Sequence, residues 1–208
     1  MAIAKLALLT LLMVKIYADS PEECNTAIGV EKRDICEITS AESGTRDDEK
    51  TSVSCPDGYS IVDCMLVQGD ILLSADGVEV TDQHCEGQRG SEDQHNMAGK
   101  GVKVKATCQR SDITNVVYVK TERVNYTKEE NVDAELWCPP RYTMRTCLYF
   151  SGWNKIVSPN GLDTKTGKIM VVQNKCNMTI VSTHDKNNVR WFTLSAICTE
   201  MVGFLLSY

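Results

Sequence analysis

Short runs in which apolar and polar residues alternate recur along most of the chain. Ser52–Cys55, Ser60–Cys64, Asp70–Leu73, Val78–Val80, Val116–Val119, Ile169–Val172 and Met178–Val181 favour Val, Ile and Thr, and Gly, Asn, Asp and Ser separate them. Strands of small antiparallel β domains read this way. Val102, Val104 and Ala106 before Cys108, and Phe192, Leu194 and Ala196 before Cys198, alternate strictly. A period of two predicts a strand with one buried face. No stretch keeps a 3.6-residue period over three turns, so the expected fold class is all-β. Ile38–Lys50 is charged and Ser/Thr-rich, and Thr121–Asp133 is polar; both read as loops or linkers.

The N-terminus breaks this pattern. Met1–Lys5 is weakly basic, Leu6–Val14 is continuously apolar, and Ile16-Tyr17-Ala18 offers a small residue for cleavage, with Lys15 interrupting the end of the run. That is the layout of a secretory signal peptide, and the apolar run is too short to span a bilayer of about 30 Å. Residues 1–18 are therefore expected to be removed and the rest secreted. The tail Met201–Leu206 is apolar but also too short to span, and it lacks the spacer and long tail of a GPI signal, so it reads as a final strand or frayed end.

The chain of 208 residues has 10 cysteines, which suggests a disulfide framework in an oxidising compartment. Its net charge is −6, and loss of Lys5 and Lys15 with the signal peptide makes it −8. That sign argues against a general nucleic-acid binder. The cysteines also disclose a duplication. Cys55-x8-Cys64-x20-Cys85-x22-Cys108 is followed by Cys138-x8-Cys147-x28-Cys176-x21-Cys198. CPDGYSIVDC at 55–64 matches CPPRYTMRTC at 138–147 in its Cys-Pro start, its Tyr and its closing Cys, and the strands before Cys108 and Cys198 align. Each repeat has only about 70 residues, too few for a generous core without cross-links.

The pattern Cys-x3-Tyr-x4-Cys, a cysteine after a variable loop, and a strand ending Ala-x-Cys resembles a known module. It is similar to the repeats of the Cys/His-rich C-terminal domain of the cholesterol-regulating subtilisin/kexin-type proprotein convertase, modules related in fold to resistin. The resemblance covers about 55–110 and 132–200. It implies one compact antiparallel β-sandwich per repeat, with the first cysteine joined to the last and the inner two joined. Carried over, the pairs are Cys55–Cys108, Cys64–Cys85, Cys138–Cys198 and Cys147–Cys176. The family's third, outer disulfide closes on a cysteine just after the last one, where this chain has Gln109 and Thr199. Cys36 sits near the start of that outer pair without its usual mate, and with the other eight assigned it is left to Cys24. The resemblance does not reach the convertase's protease domain, so it implies no proteolysis.

The expected organisation is therefore a signal peptide at 1–18, an N-terminal arm at 19–50, modules at 51–111 and 132–208, and a linker at 112–131. A polar linker promises few shared contacts, so the modules are expected to unfold separately. No intermolecular disulfide is required, and a noncovalent oligomer is compatible with the resistin likeness.

Candidate chemistry is sparse, and no enzyme activity, metal or cofactor is expected. His84, His95 and His184 form no His-x-x-x-His pair, and His84 beside Cys85 reads as a surface residue of a disulfide loop. No Cys-x2-Cys zinc pair, Gly-x-Ser-x-Gly or phosphate loop occurs. The acidic clusters Asp47-Asp48-Glu49 and Glu92-Asp93 lack the spacing of a calcium loop and read as solvated. Lys100, Lys103 and Lys105 form a basic stripe, either a solvated strand face or a polyanion site. Asn125-Tyr126-Thr127 and Asn177-Met178-Thr179 are glycosylation sequons, Asn177 only if its side chain faces water. Lys32-Arg33 is a candidate processing site inside the Cys24–Cys36 loop.

The leading expectation for function is a secreted, non-catalytic extracellular binding protein with a protein or glycan partner. The longer gap before Cys176 inserts Trp153, Asn154, Lys155 and a Pro159-Asn160-Gly161 turn, so Tyr149, Phe150 and Trp153 are the contact candidates. An extracellular matrix or biomineral-associated structural protein is the alternative, although low-complexity acidic tracts are missing. A secreted toxin or defence protein is a third reading.

Overall fold

The computed structural model describes Cys24 and residues 34–69, 71, 76–90, 100–126, 131–152, 161–181 and 190–201. Its fold is all-β, with antiparallel sheets and five disulfides. The first half contributes β1 (Ile35–Thr39), β2 (Lys50–Ser54), β3 (Tyr59–Gln68), β4 (Gly77–Thr81), β5 (His84–Gln88) and β6 (Lys103–Arg110). They form two three-stranded sheets, β1-β6-β3 and β2-β5-β4. The second half contributes β7 (Thr114–Lys120), β8 (Val124–Tyr126), β9 (Asn131–Trp137), β10 (Thr143–Gly152), β11 (Leu162–Asp163), β12 (Lys168–Ile169), β13 (Val171–Val172), β14 (Lys175–Val181) and β15 (Arg190–Met201). These build β11-β12-β10-β15-β7, with β8 also on β15, and the smaller sheet β13-β14-β9.

The two halves repeat one another in register. Cys108 lies between Cys36 and Ile61, and Cys198 lies between Val117 and Met144. The smaller sheets match too: Cys85 stands between Val53 and Val80, Cys176 between Leu136 and Val171. Each long strand has a register shift one step past its cysteine-opposed residue, between Ile61 and Asp63 and between Met144 and Thr146. Each is entered by the same turn, in which the Tyr59 or Tyr142 amide donates to the carbonyl of Pro56 or Pro139. The third turn residue has positive φ in both, +84° at Gly58 and +76° at Arg141. Glycine takes that conformation freely, whereas arginine does so against steric resistance.

The bridges are Cys24–Cys36, Cys55–Cys108, Cys64–Cys85, Cys138–Cys198 and Cys147–Cys176, the nested arrangement that the resemblance implies. Cys64–Cys85 joins the two sheets of the first half, and Cys147–Cys176 does so in the second.

Two expectations need correction. The segment read as a linker contains β7 and β8, and β7 is the counterpart of β1. Counting repeats by cysteines hid this, because β1 carries Cys36 where β7 carries Val117. The expectation of few shared contacts also fails, since one contiguous core runs through both halves. Ile71, Val78 and Val80 of the first half are buried in it with Leu148, Tyr149 and Phe192 of the second. A side chain at Gly77 would approach the Phe150 ring to 2.7 Å, and one at Gly167 would collide with Val78.

Backbone and polar groups close the same interface. The Val80 amide donates to Ser195 Oγ at 3.1 Å, and the Leu66 and Ile71 amides donate to the Thr166 and Thr164 carbonyls at 2.9 and 3.1 Å. The loop offering those carbonyls is held by Asp163, which accepts from the Thr166 hydroxyl and the Lys165 amide. These bonds hold the Asp163 carboxyl below its ordinary pKa. Asp63 receives Lys168 Nζ at 2.6 Å and the Thr146 hydroxyl.

Tyr118 of β7 ties the halves at the β3 irregularity. Its hydroxyl accepts from the Ile61 amide at 3.1 Å and donates to the Ile61 carbonyl at 3.3 Å. Tyr118→Phe removes both bonds and should cost about 1–3 kcal/mol, because the Ile61 amide loses its acceptor. Burial pushes the Tyr118 phenol up to about 12 from 10.0, against the opposing pull of the Ile61 bond. The unfolded chain therefore releases this proton first, and the stability it confers is lost as pH rises between about 10 and 12. Urea titrations of both chains across that range check this, with the gap between them expected to narrow.

Candidate functional site at the junction of the two halves

The edge of the β2-β5-β4 sheet and the ends of β7, β10 and β15 enclose a cleft of about 470 Å³. Its lining is Lys50, Glu79, Gln88, Lys120, Thr121, Glu122, Arg123, Phe150, Trp191 and Thr193. The chain leaving β7 is fastened over β15: the Thr121 amide donates to the Leu194 carbonyl at 2.9 Å, and the Leu194 amide returns a bond to Thr121 Oγ1 at 3.0 Å. β8 then pairs along Arg190–Phe192. This path carries Arg123 across the Trp191 ring, its guanidinium 4.2 Å from the centroid. The Trp191 and Phe150 rings are 5.8 Å apart and tilted by 37°.

Cations and one buried carboxylate complete the walls. Glu79 is buried and is paired by Lys120, one partner from each half. Lys50 Nζ sits 5.9 Å from the Phe150 centroid and pairs with Glu86 at 2.6 Å. Gln88 is held by Asp48 at 2.6 Å. Arg123, by contrast, has no carboxylate partner among the described residues. Thr193, 3% exposed and opposite Phe150 in the ladder, has a buried hydroxyl without a hydrogen-bond partner. A buried hydroxyl without a partner costs free energy, so its place in a cleft wall calls for an explanation.

A second hollow of about 420 Å³ lies over the paired irregularities, lined in part by Val62, Arg145, Asp63 and Lys168. Gln109 and Thr199, which stand where the resembling modules close a third bridge, both line it.

The contact candidates read from the sequence need correction. Tyr149 is fully buried, stacked on Phe192 within its own half. Phe150, on the opposite face of β10, is 5% exposed because that face packs against Gly77 of the first half. Phe150 reaches the cleft only as part of its floor, and Trp153 lies outside the described residues. Asn125 and Asn177 are both exposed. His84 is exposed and bonded through Nδ1 to Ser54 Oγ at 2.7 Å, while His95 and His184 lie outside the described residues. The basic stripe is partly neutralised: Lys105 pairs with Glu37 at 3.0 Å and Lys103 with Glu42 at 3.7 Å, while Lys100 is exposed. Asp48 and Glu49 bond within their own neighbourhood, to Gln88 and to the Arg46 amide. Glu92-Asp93, Lys32-Arg33 and the leader at 1–18 lie outside the described residues. The sulfurs of Cys24, Cys36 and Cys108 cluster, but all three belong to disulfides and offer no thiolate to a metal.

Sequence reasoning missed Arg123, Trp191 and Thr193. Arg123 fell in the supposed linker, and Thr193 occupies the polar phase of an alternating strand, which ordinarily faces water. No protein-family model matches the chain, and no curated protein matches it either.

Proposed function

We propose that this chain is a secreted, non-catalytic extracellular binding protein of two cysteine-rich modules, and that the cleft at their junction is its recognition site. The observation that carries the reading is the Arg123 guanidinium, laid over the Trp191 ring and without a carboxylate partner among the described residues, in a cleft lined by both halves. A ligand oxygen would satisfy the Arg123 guanidinium, while the aromatic rings take an apolar face. The cleft volume falls within the range usual for ligand sites. Glu79 and Lys120 hold one another, which favours a binding role over acid–base work. Five disulfides are typical of extracellular proteins and, with the leader-like N-terminus, support secretion. The nested bridges and the duplicated register support kinship with the convertase modules.

The test has two arms. Expression in secretory cells should release a chain beginning at Asp19 after removal of residues 1–18, read by N-terminal sequencing. The released chain is then screened against arrays of neutral, sialylated and sulfated saccharides and of extracellular peptides. Arg123→Ala combined with Trp191→Ala should weaken every ligand found at least about tenfold, a change of about 1.4 kcal/mol. Unchanged affinities in a variant whose thermal midpoint is preserved would remove the cleft from the reading.

A further inference from the structure

The outer face of the β13-β14-β9 sheet carries a cluster of exposed apolar side chains. Trp137 is 52% exposed, Val172 44% and Met170 64%. Trp137 and Val172 flank Lys175 in one row of the ladder, Trp137↔Lys175↔Val172. In the next row Glu135 pairs with Asn177, and Met170 immediately precedes β13 in the same outward phase as Val172. Asn177 therefore stands on this face diagonally beside Trp137 and between the apolar residues of β9 and β13. Its neighbours Cys176 and Met178 are buried, so the strand's alternation turns Asn177 outward.

The Trp137 ring has a fixed position there. Its Nε1 donates to Glu135, whose other oxygen pairs with Lys175 Nζ at 3.1 Å, and Lys175 Nζ lies 4.8 Å from the ring centroid. An indole so held presents a rigid apolar platform at low entropic cost. A grouped apolar surface of this kind calls for a cover, and an N-linked glycan is the one occupant anchored within it by the chain's own sequence, Asn177-Met178-Thr179.

We infer that Asn177 is N-glycosylated and that the first sugars of the glycan lie on Trp137, with Val172 and Met170 at their edge. The C–H faces of the sugar rings cover the indole, and their hydroxyls present a polar surface to water. The glycan is thereby a part of the fold's outer layer as well as a solubilising group. This inference rests on the secretion part of the proposed function and is independent of the cleft.

The experiment uses the full chain secreted from glycosylating cells, with site-resolved mass mapping at Asn177 and at Asn125. Asn177 should be occupied. Removing that glycan by Asn177→Gln should lower the thermal midpoint by about 2–4 °C, and in a Trp137→Ala background the same removal should have no effect. Trimming the glycan to its first sugar should keep most of the shift. A bare Asn177 beside an occupied Asn125 overturns the inference while leaving secretion intact, and a chain that is never secreted overturns both. A shift that survives Trp137→Ala overturns the platform. Self-association of the glycosylated chain that Trp137→Ala abolishes assigns the face to a second copy instead.

Discussion

Phe192→Ala should cost about 3–5 kcal/mol, the usual penalty for emptying a large buried aromatic site, and should weaken both halves together. Phe192 is fully buried on β15, stacked 5.8 Å from Tyr149, inside the core that also holds Val78 and Val80 of β4. A cavity there opens the core that both repeats share, so a typical total of about 5–15 kcal/mol loses a large share at once. Urea unfolding should stay a single transition, and hydrogen exchange should accelerate in β4 and β5 as much as in β10. If exchange rises only within β9–β15, the halves are energetically separate despite their shared core.

The second large effect follows from the inter-sheet bridges. Replacing Cys64 and Cys85 together by Ala opens a loop with a sequence separation of 21, and the chain-entropy estimate for that is about 3 kcal/mol. Both sulfurs are fully buried, so lost packing adds to the entropic cost. The double variant is the informative one, because a single substitution leaves a buried thiol free to exchange. Denaturant midpoints of the two chains measure the difference; a loss below about 1 kcal/mol would show that packing alone holds the β1-β6-β3 and β2-β5-β4 sheets together.

Much of the architecture was legible because disulfide modules write their plan in spacing. The matched intervals around Cys55–Cys108 and Cys138–Cys198 reported the duplication, and the alternation before each last cysteine reported the strands. What stayed hidden depends on polar residues that are buried. Thr146, Thr193 and Ser195 occupy the phase that faces water in an isolated sandwich, yet they lie under the neighbouring repeat. Ser195 is there as the acceptor for the Val80 amide, a role that composition cannot announce. The same covering explains Phe150, whose aromaticity marked it as a contact residue while its partner surface was the other half of the chain. Tyr149, on the opposite face of β10, is instead stacked on Phe192 inside its own half. The cleft was illegible for a different reason. Its walls come from residues 50, 79, 88, 120–123, 150, 191 and 193, which no local period connects.

The bridges also set how far this molecule can be stretched. Cys24–Cys36, Cys55–Cys108 and Cys138–Cys198 each short-circuit the chain they enclose. Under tension applied at Cys24 and Cys198, only the stretches from Cys36 to Cys55 and from Cys108 to Cys138 can pay out, about 170 Å of extended backbone. A reductant would release the whole span between those ends, about 600 Å. Oxidised, the protein is a short tether with a hard stop, and the slack it does possess includes β2 and the β7–β9 region that builds one wall of the cleft. Force on the ends would therefore dismantle the cleft while both cross-linked cores kept their covalent outline.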